Sequence, residues 1–214
     1  LSYQEKQNQL QYIVQAEFGY ANGRAFFPQG IIAGNDPSRI LNDLTLLTDP
    51  NQNFSKLPIP FKAVATDIDT GKMVVLDHGN LAEALRASMS VPGVYPPVHF
   101  QGHTLVDGGL VRNLPVDVAR DMGADIIIAV NVGTPLTPLG NEQDVVSVSL
   151  QVVKILSQQN VNTSNANLHT GDILITPDLG DITSTDFNRM GDAIRIGRQA
   201  ALQALQPLKS LQLS

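Results

Sequence analysis

The chain has 214 residues, 43% of them hydrophobic and 16% charged. That length fits one domain, residues 1–214, with a sizeable core, and the composition excludes a disordered chain. The net charge of −6 argues against a nucleic-acid partner, and the lack of cysteine excludes disulfides and thiolate metal sites.

The opening Leu1-Ser-Tyr-Gln-Glu-Lys reads like the interior of a protein, so the chain is expected to be a piece of something longer. Leu10 to Tyr20 suits an extended pair turning at Ala21-Asn22-Gly23-Arg24, because Asn-Gly favours positive φ. Asp36-Pro37 reads as the cap and first residue of a helix of about three turns. Its residues Ile40, Leu41, Leu44 and Leu47 are expected to bury one face. Asp49 to Pro60 reads as a loop. Phe61 to Asp69 and Lys72 to Leu76 read as strands of a hairpin turning at Thr70-Gly71. Asn80-Leu-Ala-Glu83 has the spacing of a capping box, and the helix it opens stops at Val91-Pro-Gly-Val-Tyr-Pro-Pro97.

Leu105-Val106 then delivers Asp107 into a turn made of Gly108 and Gly109. Two glycines permit positive φ or close approach of neighbouring backbone. An acid between a strand and a glycine turn suits a catalytic carboxylate, although Asp-Gly-Gly alone is also an ordinary turn. Pro115 opens a helix from Val116 to Met122, closed by Gly123. Asp125 to Asn131 lacks polar alternation and reads as a parallel strand covered on both faces. A helix follows from Gln143 to about Gln158, with apolar Val145, Val146, Val148, Val152, Val153, Ile155 and Leu156. Asp172 to Thr176 is a second buried-type strand. Arg189 to Leu208 is a terminal helix with Ile194, Ala201, Leu202 and Leu205 on its inner side and Arg195, Arg198 and Lys209 in solvent. Strands alternating with helices indicate an α/β layered sheet of mixed direction.

Several residues carry competing meanings. Asp67-Ile-Asp-Thr-Gly71 resembles the start of a calcium loop, but His78 stands where glutamate is required, so a hairpin turn is expected. His78, His99, His103 and His169 show no metal spacing. His99 and His103 flank the Asp107 strand, which leaves a supporting role open, or that of the base in an ordinary α/β hydrolase. Arg86 is expected to face solvent or pair with a helix end, with anion or lipid-headgroup contact as the alternative. Ser88 and Ser90 lack the flanking glycines of a nucleophile elbow, and hydroxyls near a helix end tend to bond backbone.

Four stretches together resemble the C-terminal two-thirds of the bacterial patatin-like phospholipases. They are Phe61-Lys-Ala-Val-Ala-Thr-Asp67, Gly79-Asn-Leu-Ala-Glu-Ala-Leu-Arg-Ala-Ser-Met-Ser-Val-Pro-Gly93, Val106-Asp-Gly-Gly-Leu-Val-Arg-Asn-Leu-Pro115 and Met122-Gly-Ala-Asp-Ile-Ile-Ile-Ala-Val130. Pro28-Gln-Gly30, Asp186-Phe187 and Gly197-Arg-Gln-Ala-Ala201 fit as well. The resemblance implies a three-layer α/β sandwich with a mostly parallel central sheet, its N-terminal part missing. It also implies a serine lipid acyl hydrolase, of phospholipase A or lysophospholipase type, using a Ser–Asp dyad without histidine, metal or cofactor. By position Asp107 is the dyad acid, with Gly108, Gly109 and Asn113 supporting the motif.

The family's Gly-x-Ser-x-Gly and Gly-rich oxyanion turn do not occur in these residues; Gly30-Ile-Ile-Ala-Gly34 has the glycine spacing but Ile32 at its centre. An N-terminal segment carrying the nucleophile is therefore expected as a partner, and the piece alone is expected to be inactive and to fold poorly. A non-catalytic lipid-binding or assembly module on the same fold is the alternative. The substrate implied is a phospholipid or other acyl-ester lipid at a membrane surface, with a wall for its acyl chain, or simply packed core, between Val91 and Phe100. A homodimer through the terminal helix is possible. Relatives that are exported point to a secreted or cell-surface protein, with the cytoplasm as the other option.

Overall fold

The computed structural model describes residues 19–21, 24–26, 35–133, 136, 138–139, 145–183, 186–205 and 209. The chain divides into two compact units, one of residues 1–108 with 144–150, the other of residues 109–143 with 151–214. The fold class is α/β, as expected.

In the first unit β1 (Gly19–Ala21) and β2 (Arg24–Phe26) pair antiparallel, with Ala21 opposite Arg24; the expected turn residues Asn22 and Gly23 lie outside the described residues. The expected strand residues before Gly19 lie outside the described residues. Helix α1 spans Asn35–Leu44. Its apolar stripe is present, but Ile40 and Leu44 are 58% and 77% exposed, and Leu47 lies beyond the helix in solvent. The stripe has the helical period but is not buried. Short β3 (Gln52–Asn53) and a 3₁₀ turn at Phe54–Lys56 interrupt the expected loop. Phe54 is completely buried there, its ring centroid 6.1 Å from that of Phe61.

Strands β4 (Ala63–Asp67) and β5 (Met73–Leu76) form the expected hairpin. Gly71 takes a φ of 68° in its turn, so Asp67 to Gly71 is hairpin chemistry. β6 (His78–Gly79) pairs with β3. Helix α2 (Leu81–Ser88) opens at Asn80, whose Oδ1 accepts from the Glu83 N–H at 3.2 Å. β7 (Val98–Phe100) and β8 (His103–Asp107) form a second hairpin that the sequence pattern did not announce. Gln101 and Gly102 both adopt positive φ between them, which suits a two-residue turn.

These strands make one sheet in the order β5-β4-β8-β7, antiparallel throughout. The short connections of the two hairpins, β4-β5 and β7-β8, suit antiparallel pairs, and β4 with β8 joins them antiparallel at the centre of the sheet. β4 is buried along its whole length. Alanines on β4 and α2 are what bring helix and sheet close: Ala63 and Ala65 share a core with Ala84, Ala87, Leu76, Phe100 and Leu105.

The second unit holds α3 (Gly109–Arg112), α4 (Val116–Asp121), β9 (Ile128–Val130), α5 (Val145–Ala166), β10 (Ile173–Ile175) and α6 (Met190–Gln203). Helix α5 begins in the first unit and ends in the second. β9 and β10 pair parallel, so the expected parallel direction holds for this pair and not for the four-stranded sheet. Cover on both faces is not found: Ile127 and Ala129 are buried while Ile126, Ile128 and Val130 are exposed. Likewise Val148, Val152, Ile155 and Leu156 of α5 and Ile194 and Leu202 of α6 are exposed. Apolar runs announce strands and helices; they do not say which face finds a neighbour. The core of this unit is Leu114, Val116, Ile127, Ala129 and Val161.

Asp172 ties the parallel pair to α4. Its carboxylate accepts from Arg120 Nη2 at 2.6 Å and from the backbone N–H groups of His169 and Ile127 at 2.7 and 2.9 Å. The His169 backbone bond leads in holding this carboxyl below its ordinary value, with Ile127 and Arg120 adding to it against the cost of burial. A group with depressed folded pKa stabilises above its unfolded value of 3.8 and loses that contribution as pH falls through the lower folded one. Asp172→Asn is therefore expected to lower the unfolding midpoint at pH 7. The gap from the parent should close as denaturation is repeated at pH values falling below that ordinary carboxylate range.

Candidate active site

Asp107 is the last residue of β8, at an inner position of the four-stranded sheet. It lies opposite Ala65 of β4, and side chains alternate along a strand, so it shares the face of Ala65 and Leu105 that carries α2. Its backbone is held on two sides. The N–H donates to the Ser90 carbonyl at 2.9 Å, and the carbonyl accepts from Thr66 Oγ1 at 2.9 Å.

Gly108 follows without a positive φ. What demands glycine here is close approach: a Cβ would run into the Val64 carbonyl oxygen and lie 2.7 Å from the carbonyl carbon. Of the two roles that paired glycines permit, crowding is the one in use. Ser88 Oγ donates to the same Val64 carbonyl at 2.8 Å.

Both serines, Ser88 and Ser90, are engaged next to Asp107's strand. Ser90 is wholly buried, and its Oγ donates to the Arg86 carbonyl at 2.7 Å. Both hydroxyls bond backbone, as expected for their position near a helix end. Arg86 departs from expectation. It is 5% exposed, donates from Nη1 to Ser90 Oγ at 2.6 Å and lies with Cζ 4.7 Å from the Tyr95 ring centroid. A guanidinium can be buried when hydrogen bonding and an aromatic face replace water, and this pocket provides both.

In the second unit Gly109 opens α3, and its carbonyl accepts from Ser157 Oγ at 2.9 Å and Asn160 Nδ2 at 2.8 Å. Asn113 follows α3. Its backbone N–H donates to Asn160 Oδ1 at 2.7 Å, while its side chain is exposed near Gly133. Asn160 thus serves both ends of α3 from the polar half of α5, beyond the helix boundary that apolar spacing suggested. Asn, Ser and Thr are weak helix formers, which hid this extension.

The histidines do not reach the acid. His103 Nδ1 pairs with Asp67 Oδ2 at 3.0 Å, and Asp67 is held low chiefly by that bond. His103 and Asp107 stand at opposite ends of β8, four residue steps or about 13 Å apart at ~3.3 Å per residue. His99 Nδ1 is 3.4 Å from Thr104 Oγ1, on the neighbouring strand.

Residues 6–120 match the family model described as patatin-like phospholipase, which is more than half of the chain. The chain belongs to the patatin-like phospholipase family. Among the relatives, patatin-like phospholipase domain-containing protein 7 of Mus musculus is 43% identical over 97 residues, 42% of this chain and 7% of that protein. Patatin-like phospholipase domain-containing protein 6 of Homo sapiens is 42% identical over 86 residues, 39% of this chain and 6% of that protein. An uncharacterized NTE family protein of Mycobacterium tuberculosis is 44% identical over 78 residues, 36% of this chain and 22% of that protein. The matched stretch thus spans less than a quarter of each of these relatives. In this patatin-like chain the family match contains Asp107 and the contacts that hold its backbone.

Gly108→Ala is expected to destabilise the chain by roughly 1–3 kcal/mol, the usual cost of overpacking. Urea denaturation checks this, and an Ala that leaves the midpoint unchanged contradicts the contact with Val64.

Proposed function

We propose that the whole protein is a lipid acyl hydrolase of phospholipase A or lysophospholipase type. Asp107 is the acid of a Ser–Asp dyad, and a segment outside these 214 residues supplies the serine. The observation that supports it is the placing of Asp107 at an inner strand end, with its backbone bonded to Ser90 and Thr66 and glycine packed against Val64. A carboxylate so held is suited to act as a base at a fixed point.

Serine is a weak nucleophile until a base takes its proton. In the proposed step the Asp107 carboxylate accepts that proton as the serine oxygen attacks the acyl carbonyl. The tetrahedral oxyanion rests on backbone N–H donors of the family's Gly-rich turn, each contributing ~3 kcal/mol. The intermediate collapses to an acyl-enzyme, and the proton leaves with the lysolipid or alcohol. Water, deprotonated by the same carboxylate, then releases the fatty acid. The substrate is an acyl-ester lipid presented at a membrane surface.

Two measurements test this. The coding sequence upstream of Leu1 is expected to contain Gly-x-Ser-x-Gly and a Gly-rich turn; their absence favours a lipid-binding or assembly module on the same fold. In the whole protein, Asp107→Asn keeps the shape and removes the base, so ester hydrolysis is expected to fall ~10²- to 10⁴-fold. Hydrolysis at the parental rate rejects the role of Asp107.

A further inference from the structure

Arg86 is a cation inside the first unit, and the dyad described above gives it no task. Among the described residues no carboxylate pairs with it. Its partners are Ser90 Oγ at 2.6 Å and the Tyr95 ring at 4.7 Å. Ser90 and Tyr95 are themselves buried, at 0% and 6% exposure. Burial depresses the guanidinium pKa, with the nearby Tyr95 opposing, yet arginine stays charged at any working pH.

The geometry closes a ring. Arg86 Nη1 donates to Ser90 Oγ, and Ser90 Oγ donates to the Arg86 carbonyl. This ring spans the end of α2, where a cation also complements the helix dipole. It fixes Ser90, the second residue beyond the helix, Met89 and Ser90 being its exit. The Ser90 carbonyl then accepts from the Asp107 N–H at 2.9 Å. Tyr95 belongs to the same loop, tied by its N–H to the Val91 carbonyl at 2.9 Å. Arg86 thus grips the exit of α2 at two points, and that exit in turn grips the acid.

We propose that Arg86 is a positioning residue for Asp107, setting the place of the carboxylate through Ser90. The proposal rests on the dyad assignment above. Arg86 touches no reacting atom. Its loss moves the base relative to the serine, and displacements on the scale of an ångström suffice to cost large factors in rate.

The experiment uses the whole protein and a soluble p-nitrophenyl acyl ester. Arg86→Met keeps most of the volume and removes the hydrogen bond and charge. It is expected to lower kcat about tenfold or more with KM within twofold of the parent. Arg86→Lys keeps the cation over Tyr95 and is expected to recover part of the loss. Ser90→Ala removes the hydroxyl that links Arg86 to the loop and is expected to lower kcat in the same sense with KM unchanged. If Arg86→Met does not fold, Ser90→Ala and Arg86→Lys carry the test.

Folded variants with parental kcat overturn the proposal. So does a loss in Arg86→Met that tracks a lowered unfolding midpoint and a raised KM, with Arg86→Lys no better, because that marks a purely structural arginine. Asp107→Asn in parallel separates the two ideas. Activity retained there rejects the dyad itself and the proposal with it. Activity lost there, with Arg86→Met and Ser90→Ala at the parental rate, rejects only the role of Arg86.

Discussion

The packing of Gly108 against the Val64 carbonyl is the contact on which the site depends. It lets β8 end and the chain turn away while the backbone of Asp107 stays bonded to β4. Any larger residue forces the turn outward, and Asp107 immediately precedes it. The Val64 carbonyl also accepts from Ser88 Oγ, so the oxygen that Gly108 meets is itself tied to α2.

Around that contact the first unit is built from small residues. Ala63, Ala65, Ala84 and Ala87 let α2 lie against the sheet, which brings Ser88 and Ser90 within reach of β4 and β8. Larger side chains at those positions hold helices and sheets farther apart, and the two serine contacts are then lost. The Ser-Met-Ser-Val-Pro-Gly block carries two hydroxyls without the flanking glycines of a nucleophile elbow. Its hydroxyls are occupied with backbone and with a buried guanidinium. Pro92 and Gly93 at its end lie in the loop that returns Tyr95 to Arg86.

The second unit supports its part of the motif in a different way. Gly109 and Asn113, at the two ends of a single short helical turn, both meet Asn160. One amide side chain has a donor for the Gly109 carbonyl and an acceptor for the Asn113 N–H, so it satisfies both ends of α3. Asp172 does similar work for β9 and β10, as one carboxylate that collects two backbone N–H groups and an arginine. Fixed polar side chains at the ends of short elements stand in for the longer ladders that such elements lack.

Local chemistry was legible in the sequence. Asn80 as a cap, Thr70-Gly71 as a turn and Gly123 as a helix stop follow from the conformations that these residues favour over a few neighbours. The acid beside paired glycines, taken with the serine block, pointed to the family that the match over residues 6–120 shows. Tertiary structure decided the rest, because burial depends on residues far away in the chain. It placed Arg86 inside and Leu44 outside, although each stands on a helix with the pattern to suggest the opposite. It paired β7 with β8 through a hairpin at Gln101-Gly102, where a non-glycine residue accepts positive φ that its type does not announce, and laid β4 antiparallel against Asp107's strand. It also chose between the two uses of Gly108, since only the position of Val64, 44 residues earlier by number, tells close approach from a left-handed turn.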